Sequence, residues 1–328
     1  MAGRQGFIPV VHAATESRPD EIDTLVAANA VAGALGSLGY AAEIVALAPN
    51  LGQLDALPAR RPLTVFNLVD AVNGDGRLAP FVPARLDALS LPYTGCSASA
   101  WLDTLSKIST KLKLAHAGLP TPAWSEDGGE FDPDARVIVK PIWEHGSLGL
   151  DDASVLRGGD AARAIDERNL RWKTEHFAES YLDGREFNLS LLEGPSGPRV
   201  LPIAEIVFEG FSGHASKIVG YDAKWTPDSD AYIGTPRRFG VEAENPALAA
   251  KLKDLALACW HLFALSGYAR VDFRLHGEGE PAILEVNMNP CLSPDAGFAA
   301  AAAQAELSYE AMIGGIVEAS LGTLQATA

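Results

Sequence analysis

The chain of 328 residues has few cysteines and no long apolar run. Its three cysteines, Cys96, Cys259 and Cys291, are scattered and form no Cys-X-X-Cys pair, which argues against a zinc site and against a disulfide framework. A membrane-spanning helix needs about 18 or more consecutive apolar residues, and no such segment occurs. The first residues also lack a charged stretch followed by an apolar one, so no export signal is predicted. These absences predict a soluble, cytoplasmic protein that has no membrane partner.

Basic residues are scarce as well. The sequence has 26 Lys and Arg against 42 Asp and Glu, which gives a formal net charge of −16. Binding to a nucleic-acid backbone needs a basic surface, so we expect no nucleic-acid partner. A few local lysines and backbone amides nevertheless suffice to hold a single nucleotide. Hydrophobic residues make up 48% of the chain, which is enough for a large core and more than one domain.

The order of the predicted elements indicates three units. Strands are predicted at residues 7–11, 42–48, 63–68, 137–140, 176–182, 186–192 and 201–208, and helices at 21–38, 77–89, 97–117, 159–170, 247–265 and 308–320. The first third is typical of a parallel α/β layer, whereas the alanines at 299–303 are interpreted only as a small-residue patch. We predict an N-terminal α/β domain (1–93), a central domain (94–182) and a C-terminal domain (183–328) that is richer in strand.

The most informative segment, residues 268–290, predicts a β-hairpin. Two alternating apolar runs flank a glycine-rich turn. A turn centred in this cluster pairs Asp272 with Glu285 and Arg270 with Asn287. Because side chains on a strand alternate, these four residues share one face. The side chains between them are predicted to point into a core: Val271, Phe273, Leu284 and Val286.

Two carboxylates and an amide oxygen in register predict a metal site. Such hard oxygen ligands suit Mg²⁺, or Mn²⁺, which completes its coordination shell with nucleotide phosphates and water. Asp272, Glu285 and Asn287 are therefore the predicted metal ligands. The alternative is a solvated polar face that carries incidental charges.

A second segment predicts a phosphate site. Lys140 ends a β-branched strand and is followed by a loop that contains Gly146, Ser147 and Gly149. The lysine can neutralise phosphate oxygens, and the glycines let backbone N–H groups approach closely. An ordinary surface turn is the alternative, because Gly-Ser loops after strands are common.

A third segment predicts contacts to a nucleoside. A strand, a turn at Gly184 and a second strand would bring Glu179 and Glu186 to one cleft. There Glu186 can bind ribose hydroxyls, and the backbone from Glu179 to Leu182 can contact adenine. Each of the two acids, taken singly, is also compatible with a solvated strand edge.

Taken in order, these segments resemble the ATP-grasp superfamily and, within it, the D-alanine–D-alanine ligases. The resembling segments are 93–97 (YTGCS), Lys107 with 121–124 (TPAW), 137–141 (VIVKP), 184–187 (GREF), 269–272 (ARVD) and 284–287 (LEVN). They extend from about residue 63 to the C-terminus, and six of them in this order are a far stronger signal than any one. The resemblance implies a three-domain ATP-grasp fold, in which central and C-terminal α+β domains sandwich ATP.

The resemblance also implies a role for each matching residue. Positions that match nucleotide contacts are Lys107, Lys140, Glu144, Gly146, Ser147, Glu179, Tyr181, Leu182 and Glu186, and those that match magnesium ligands are Asp272, Glu285 and Asn287. Arg270 matches an arginine that stabilises the tetrahedral oxyanion. Lys224 matches a lysine that holds the transferred phosphate and the substrate, and Ser147 completes the predicted catalytic set. A homodimer is expected on the same basis.

Departures from the family lie at the amino-acid pocket. Glu16 stands in for the glutamate of a glycine-rich loop that the family carries after its first strand. Cys291 replaces a glycine, and Ala296 replaces a serine that grips a carboxylate, a loss that Ser293 can cover. Trp225 replaces a tyrosine. The predicted substrate contacts are therefore Glu16, Trp225, Arg270, Cys291 and Ser293.

The resulting hypothesis is an ATP-dependent carboxylate–amine ligase. In such an enzyme Mg-ATP phosphorylates a carboxylate and an amino-acid amine attacks the acylphosphate, which gives an amide, ADP and phosphate. The altered pocket favours natural-product or small-peptide assembly. The alternatives are a D-alanine–D-alanine ligase of cell-wall synthesis, a mycosporine-type ligase that condenses an amino acid with a cyclic enol or ketone, and a non-catalytic ATP-binding regulatory module. Arg270 argues against the last, because binding alone does not require it.

Overall fold

The first sheet is parallel. The computed structural model describes residues 6–14, 19–143, 146–147, 149–210, 216–226, 229–277 and 279–326. Its first strands are β1 (Phe7–Ala13), β2 (Ala41–Leu47) and β3 (Phe66–Asn67), and the helices around them are α1 (Pro19–Ser37), α2 (Leu57–Arg60) and α3 (Phe81–Ala88). The strand order is β2-β1-β3 with parallel pairing throughout. The predicted parallel layer is confirmed, although the strand predicted at 63–68 is only two residues long.

Apolar residues cover both faces of β1. Ile8 and Val10 pack with residues of α1, whereas Val11 packs with residues of α2 and α3 on the opposite face. A strand that is buried on both faces has a nearly continuous run of apolar residues in its sequence, which is typical of parallel sheets. This layer therefore presents the carboxyl ends of β1 and β3 at one edge, where α/β sheets commonly bind ligands.

The second sheet is antiparallel. This part of the chain comprises α4 (Ala98–Leu105), α5 (Lys107–His116), β4 (Trp124–Ser125), β5 (Arg136–Pro141), β6 (Val155–Arg157), α6 (Ala161–Trp172) and β7 (His176–Ser180). The strand order is β4-β7-β5-β6. Val137 and Val139 of β5 pack with Ile165 of α6, so this helix covers one face of the sheet. On the opposite face, Phe177 of β7 packs with Ile108 of α5.

The helix predicted at 97–117 is in fact two helices. Ser106 has extended backbone angles (φ −86°, ψ 119°), and its hydroxyl accepts a hydrogen bond of 3.3 Å from the backbone N–H of Ser109. A serine in this conformation is a favourable N-cap, which explains why a new helix begins at the next residue. Lys107 is therefore the first residue of α5.

The third sheet is antiparallel and larger. Its strands are β8 (Glu186–Gly194), β9 (Gly197–Val200), β10 (Ala204–Ile206), β11 (Arg237–Arg238), β12 (Tyr268–Leu275) and β13 (Pro281–Asn287). The helices of this region are α7 (Tyr221–Trp225), α8 (Asp230–Ile233), α9 (Val241–Glu244), α10 (Pro246–Leu262), α11 (Gly297–Gln304) and α12 (Tyr309–Ala326). The strand order is β11-β10-β8-β12-β13, with β9 also paired to β8. Helix α10 packs its Leu252 and Trp260 against Phe187 of β8 and Val271 of β12, so one face of this sheet forms the main core.

The hairpin of β12 and β13 carries a bulge. Asp272 pairs with Glu285, as predicted, but the register then shifts and Phe273 pairs with Ile283. Leu284 is thus the extra residue of a β-bulge, which turns its side chain away from the core face. Ile283 is fully buried in the main core, whereas Leu284 is only partly buried. The prediction that Leu284 points into the core is therefore wrong.

The last two helices return to the first sheet. Ile313 and Val317 of α12 belong to the same apolar cluster as Ile8 of β1, and α12 packs against α1. The predicted small-residue patch at 299–303 forms most of α11. The domain boundaries predicted near residues 94 and 183 fall between the three sheets and stay predictions. Within the described ranges, no helix is both long and apolar enough to cross a membrane.

Candidate active site

One face of the third sheet concentrates the charged residues. Strand register places Asn188 of β8 beside Asp272 of β12, and Asp272 beside Glu285 of β13. The register also aligns Glu186 with Arg274, and Arg270 with Asn287. Because side chains two residues apart share a face, these residues form one surface opposite the main core. We call it the polar face; its members are Glu186, Asn188, Arg270, Asp272, Arg274, Glu285 and Asn287.

Asp272 lies at the centre of the polar face and is saturated with donors. Arg270 donates to it from Nε (2.7 Å) and Nη2 (2.9 Å). Asn188 donates to Oδ1 (2.8 Å), and Asn287 donates to Oδ2 (3.0 Å). Each carboxylate oxygen thus accepts two hydrogen bonds, so a bound Mg²⁺ would take the place of one of these donors. This network orients the amide of Asn287 so that its Oδ1 stays available.

Arg270 is a permanent cation in this setting. Burial alone would lower its pKa, but the adjacent carboxylate of Asp272 outweighs burial and raises the pKa above the usual value of arginine. The bidentate pair also fixes the guanidinium plane. The site therefore holds a rigid positive charge in direct contact with Asp272, one of the predicted metal ligands.

Two lysines approach Glu285. Lys107, at the start of α5, places its Nζ 3.6 Å from Oε1 of Glu285. Lys224 of α7 is partly buried, and burial lowers its pKa, although Glu285 and Asp272 oppose this shift. Lysines from two different elements thus converge on the same end of the polar face. Such a cluster of cations is suited to hold several phosphate oxygens.

The donor set fits a magnesium ion. Two carboxylates and an amide oxygen from Asp272, Glu285 and Asn287 lie on one face, and Mg²⁺ typically takes one or two carboxylates and completes its shell with water and phosphate. No group of three or more His, Cys, Asp and Glu side chains suitable for a metal occurs in the part of the chain that the structure describes. A dedicated all-protein cage is therefore absent there, and a site completed by a nucleotide is the better fit.

The second sheet and α5 together form a triad of charged residues. Two of its members, Lys140 and Glu179, are predicted from the sequence. Glu179, 1% exposed, lies 2.5 Å from Nζ of Lys140 and 2.6 Å from Nζ of Lys111. Burial raises the pKa of Glu179, but the two ammonium groups outweigh it and hold the pKa below the usual value. Burial lowers the pKa of Lys111, which is 1% exposed. Lys111 was missed, although its position four residues after Lys107 places both lysines on one helix face.

The predicted phosphate loop is described in part. Ser147 has a positive φ of 63° and donates its hydroxyl to the carbonyl of Val219 (3.0 Å). Gly149 also has a positive φ, and a Cβ there would lie 3.1 Å from the ring of Trp172. Gly146 belongs to the described residues, whereas the predicted Glu144 lies outside them. The loop is therefore held against the segment before α7, which carries Lys224.

At the other end of the polar face lies the predicted nucleoside region. Burial raises the pKa of Glu186, and Arg274, whose Nη1 is 3.2 Å from Glu186 Oε2, opposes this shift. Leu182 is buried, and Tyr181 exchanges hydrogen bonds with the backbone of Lys217 (3.0 and 3.3 Å). Glu186, Tyr181 and Leu182 are thus brought together, while Arg274 was missed. Strand alternation with Asp272 could have indicated it.

The predicted amino-acid contacts surround a carboxylate from α1. Asp23 accepts hydrogen bonds from Sγ of Cys291 and from Oγ of Ser293, both at 2.8 Å. Burial and the nearby Asp23 raise the pKa of Cys291 to about 12, so it stays a thiol and not a thiolate. We call Asp23, Cys291 and Ser293 the Asp23 cluster. Glu16 and the side chain of Trp225 lie outside the described residues, and no sequence signal pointed to Asp23.

Comparison with known proteins identifies the class. The sequence model of the family described as the D-ala D-ala ligase C-terminus matches residues 134–318. The D-alanine–D-alanine ligase of Moorella thermoacetica is 31% identical over 313 residues, which cover 91% of this chain and 94% of that protein. An uncharacterised protein of Sinorhizobium fredii, y4sG, is 33% identical over 264 residues, covering 79% of this chain and 75% of that protein. The chain belongs to the D-alanine–D-alanine ligase family.

Solved structures agree with this assignment at the level of the fold. The D-alanine–D-alanine ligase from Bacillus anthracis has a TM-score of 0.76 and 21% sequence identity, covering 98% of this chain and 100% of that one. The predicted ATP-grasp α+β fold is thereby confirmed. The family assignment also confirms an ATP-dependent ligase that forms a carbon–nitrogen bond, with ATP and Mg²⁺ as its cofactors.

Proposed function

We propose that the chain joins two amino acids, with D-alanyl-D-alanine as the first candidate product. The single observation that carries the proposal is the polar face, where the Arg270–Asp272 pair lies beside Glu285 and Asn287. Relatives that cover nine tenths of the chain are D-alanine–D-alanine ligases. They favour a dipeptide ligase over the broader hypothesis of natural-product assembly.

The two ends of the polar face suggest how the nucleotide is oriented. Glu186 and Arg274 would lie under the nucleoside, and Asp272, Glu285 and Asn287 would lie under the phosphates. Bound Mg²⁺ would neutralise phosphate charge and so make the terminal phosphorus more susceptible to attack by a carboxylate oxygen. In phosphoryl transfer the protein contributes mainly positioning and charge neutralisation, and Lys107, Lys140 and Lys224 are placed for that task.

Arg270 is proposed to act in the second half of the reaction. When an amine attacks the acylphosphate carbonyl, the carbonyl oxygen gains negative charge before phosphate departs with the bonding pair. A guanidinium held on a rigid strand stabilises that oxygen without costly reorganisation. Its bidentate pair with Asp272 fixes the orientation in advance, at distances of 2.7 and 2.9 Å.

Ser147 and Lys224 are proposed to close the site. The hydroxyl of Ser147 is bonded to Val219, two residues before α7, so the phosphate loop and the lysine-bearing helix are coupled. A shared movement of both segments would bring the loop amides and Lys224 to the phosphate together. Exclusion of water at that moment protects an acylphosphate from hydrolysis.

The Asp23 cluster bears on the choice of amino acids. Ser293 is already engaged by Asp23, so a substrate carboxylate would have to displace that contact in order to use its hydroxyl. A pocket that contains a fixed carboxylate is less favourable for a second free carboxylate. We therefore propose that D-alanine binds weakly as acceptor, and that Glu16, Trp225, Cys291 and Ser293 set the preference.

The test is ADP release with Mg-ATP and a panel of D- and L-amino acids, singly and in pairs, with mass analysis of the products. The expected outcome is D-alanine-dependent ADP release together with a dipeptide. ADP release only with an amino acid and a cyclic enol or ketone would overturn the dipeptide proposal in favour of the mycosporine-type alternative. Nucleotide binding without ADP release under any condition would favour the non-catalytic alternative.

We also propose that the enzyme acts as a homodimer. Its mass in solution, measured by light scattering at micromolar concentration, tests this directly. A mass close to 34.6 kDa, that of one chain, would contradict it.

A further inference from the structure

Arg274 is a buried arginine that the proposed function places under the nucleoside without assigning it a contact. It lies on β12 two residues after Asp272, which corresponds to about 7 Å along the strand. Strand alternation puts its side chain on the polar face, and its cross-strand neighbour is Glu186. Only 5% of the residue is exposed, so its charge has been removed from water.

The guanidinium is incompletely satisfied. Nε donates to the carbonyl of Gly184 (3.2 Å), and Nη1 is 3.2 Å from Oε2 of Glu186. Nη2 is buried and has no hydrogen-bond partner among the residues that the structure describes. Buried donors are almost always paired, and an unpaired one on a charged group is costly. A bound molecule that offered Nη2 a hydrogen-bond acceptor would therefore be favoured at this position, because the described protein atoms do not provide one.

The surroundings of Arg274 define which molecule could supply the acceptor. The rings of Tyr181 and Phe208 lie 5.5 and 5.0 Å from its guanidinium carbon, so aromatic side chains flank the guanidinium. Gly184 approaches the strand so closely that a Cβ there would lie 2.4 Å from the carbonyl of Leu275. The backbone is thus packed tightly on the Gly184 side, and the aromatic surroundings of the guanidinium are chemically suited to the planar base of a nucleotide.

Building on the proposed function, we infer that Nη2 of Arg274 donates a hydrogen bond to the nucleoside part of the bound nucleotide. The acceptor is either a ring nitrogen of the purine or an oxygen of the ribose. The phosphate end is excluded, because it belongs beside Asp272 and Glu285. Arg274 is then a specificity-determining residue that contacts the nucleoside through Nη2. Its Nε and Nη1 meanwhile bond the carbonyl of Gly184 and the carboxylate of Glu186.

The first experiment measures binding and needs no turnover. Titration calorimetry compares the affinity of the wild-type chain and of Arg274→Met for Mg-ADP and for Mg-tripolyphosphate, which lacks a nucleoside. Loss of one charged hydrogen bond is expected to weaken Mg-ADP about tenfold to hundredfold and to leave tripolyphosphate unchanged. Equal Mg-ADP affinity of both proteins would overturn the inference. Equal weakening of both ligands would overturn it too, because that result indicates general damage.

A control separates direct contact from an effect through Glu186. If Arg274 acts only by orienting that carboxylate, then Arg274→Met should cost nothing further in a Glu186→Gln background. The inference expects the loss to persist in that background. Arg238→Met is the matched surface control, since Arg238 pairs with Glu205 and Glu244 on the edge strand β11. It should bind Mg-ADP as the wild type does.

Nucleotide analogues identify the acceptor and remain informative if the variant folds poorly. The wild-type chain is titrated with 3-deaza-, 7-deaza-, 2′-deoxy- and 3′-deoxy-ADP. The inference expects one analogue to bind more weakly to the wild type, and to show no such difference with Arg274→Met or, if that is unstable, Arg274→Lys. Four analogues whose losses are the same in both proteins would overturn it. Wild-type protein that binds no Mg-ADP at all would instead refute the proposed function.

Discussion

The proposed nucleotide end and the proposed amino-acid end of the site differ in what holds their side chains in place. The polar face is carried by three adjacent strands, and hydrogen bonds between strands fix each of its side chains relative to the next. The Asp23 cluster joins a helix near the start of the chain to a loop some 270 residues later. Strand register therefore fixes the charges that we propose handle ATP, whereas the proposed pocket for the amino acids depends on contacts between distant segments, which can change independently.

The sharpest test of this difference is Arg270→Met. Loss of an oxyanion donor is expected to reduce the rate of ligation by about 10²- to 10³-fold or more. Binding of Mg-ADP should change little, because the lysines and Glu186 are untouched. Steady-state rates and calorimetry on the same preparation measure both. Ligation that survives in this variant would remove Arg270 from the chemistry.

The ion triad of the second sheet predicts a large effect on stability. Lys111→Met leaves the buried carboxylate of Glu179 with one cation, which should lower the free energy of unfolding by about 3–5 kcal/mol. Lys113→Met, on the same helix, removes a half-exposed partner of Asp103 and should cost less than about 1 kcal/mol. Urea unfolding of both variants gives the comparison. Similar losses of unfolding free energy in the two variants would show that burial of the triad does not determine its contribution to stability.

A smaller change is expected at the predicted metal ligands. Glu285→Gln removes one negative charge from the site and should raise the Mg²⁺ concentration needed for half-maximal activity about tenfold. Glu280→Gln, on the same hairpin, removes the exposed partner of Lys251 and should leave the requirement unchanged. Magnesium titrations of ADP release distinguish the two. An unaltered titration for Glu285→Gln would exclude it as a ligand.

The smallest effect concerns the thiols. Burial raises the pKa of Cys96, Cys259 and Cys291 to about 12, against a usual value of 9.0. The folded state then holds these protons more tightly than the unfolded state. The resulting stability is present below pH 9 and is lost as the pH rises towards 12. Slow reaction with a disulfide reagent at pH 8, accelerated by urea, is expected; rapid labelling of folded protein would contradict it.

The sequence was most informative where one strand pattern determines several positions. Alternation along β12 and β13, with one turn, was enough to pair Asp272 with Glu285. The bulge at Leu284 was not predictable in this way, since it depends on how the hairpin fits the core. Alternation also places Arg274 on the same face as Asp272, but its burial depends on Tyr181 and Phe208, which are distant in sequence, and so does the finding that its Nη2 has no partner among the described residues.

The spacing of residues in α5 could have predicted two further features of the site. Lys111 follows Lys107 by one helical turn, and Ser106 is a favourable N-cap that marks the start of α5. Asp23 is a different case. Nothing in its local sequence indicates that Cys291 and Ser293 will donate to it, because that contact exists only once α1 and the loop after β13 have packed on the same cluster.

The shared core of β1 and α12 has a consequence for biosynthesis. Ile8 and Val10 are buried by residues as late as Ile313 and Val317. A ribosome that has completed the first sheet has made α1, but not yet the residues of α12 that complete the cover of the same face. That sheet has to wait, partly uncovered, until almost the entire polypeptide has been translated. A premature stop in α12 would therefore leave apolar side chains of β1 partly uncovered in the released chain.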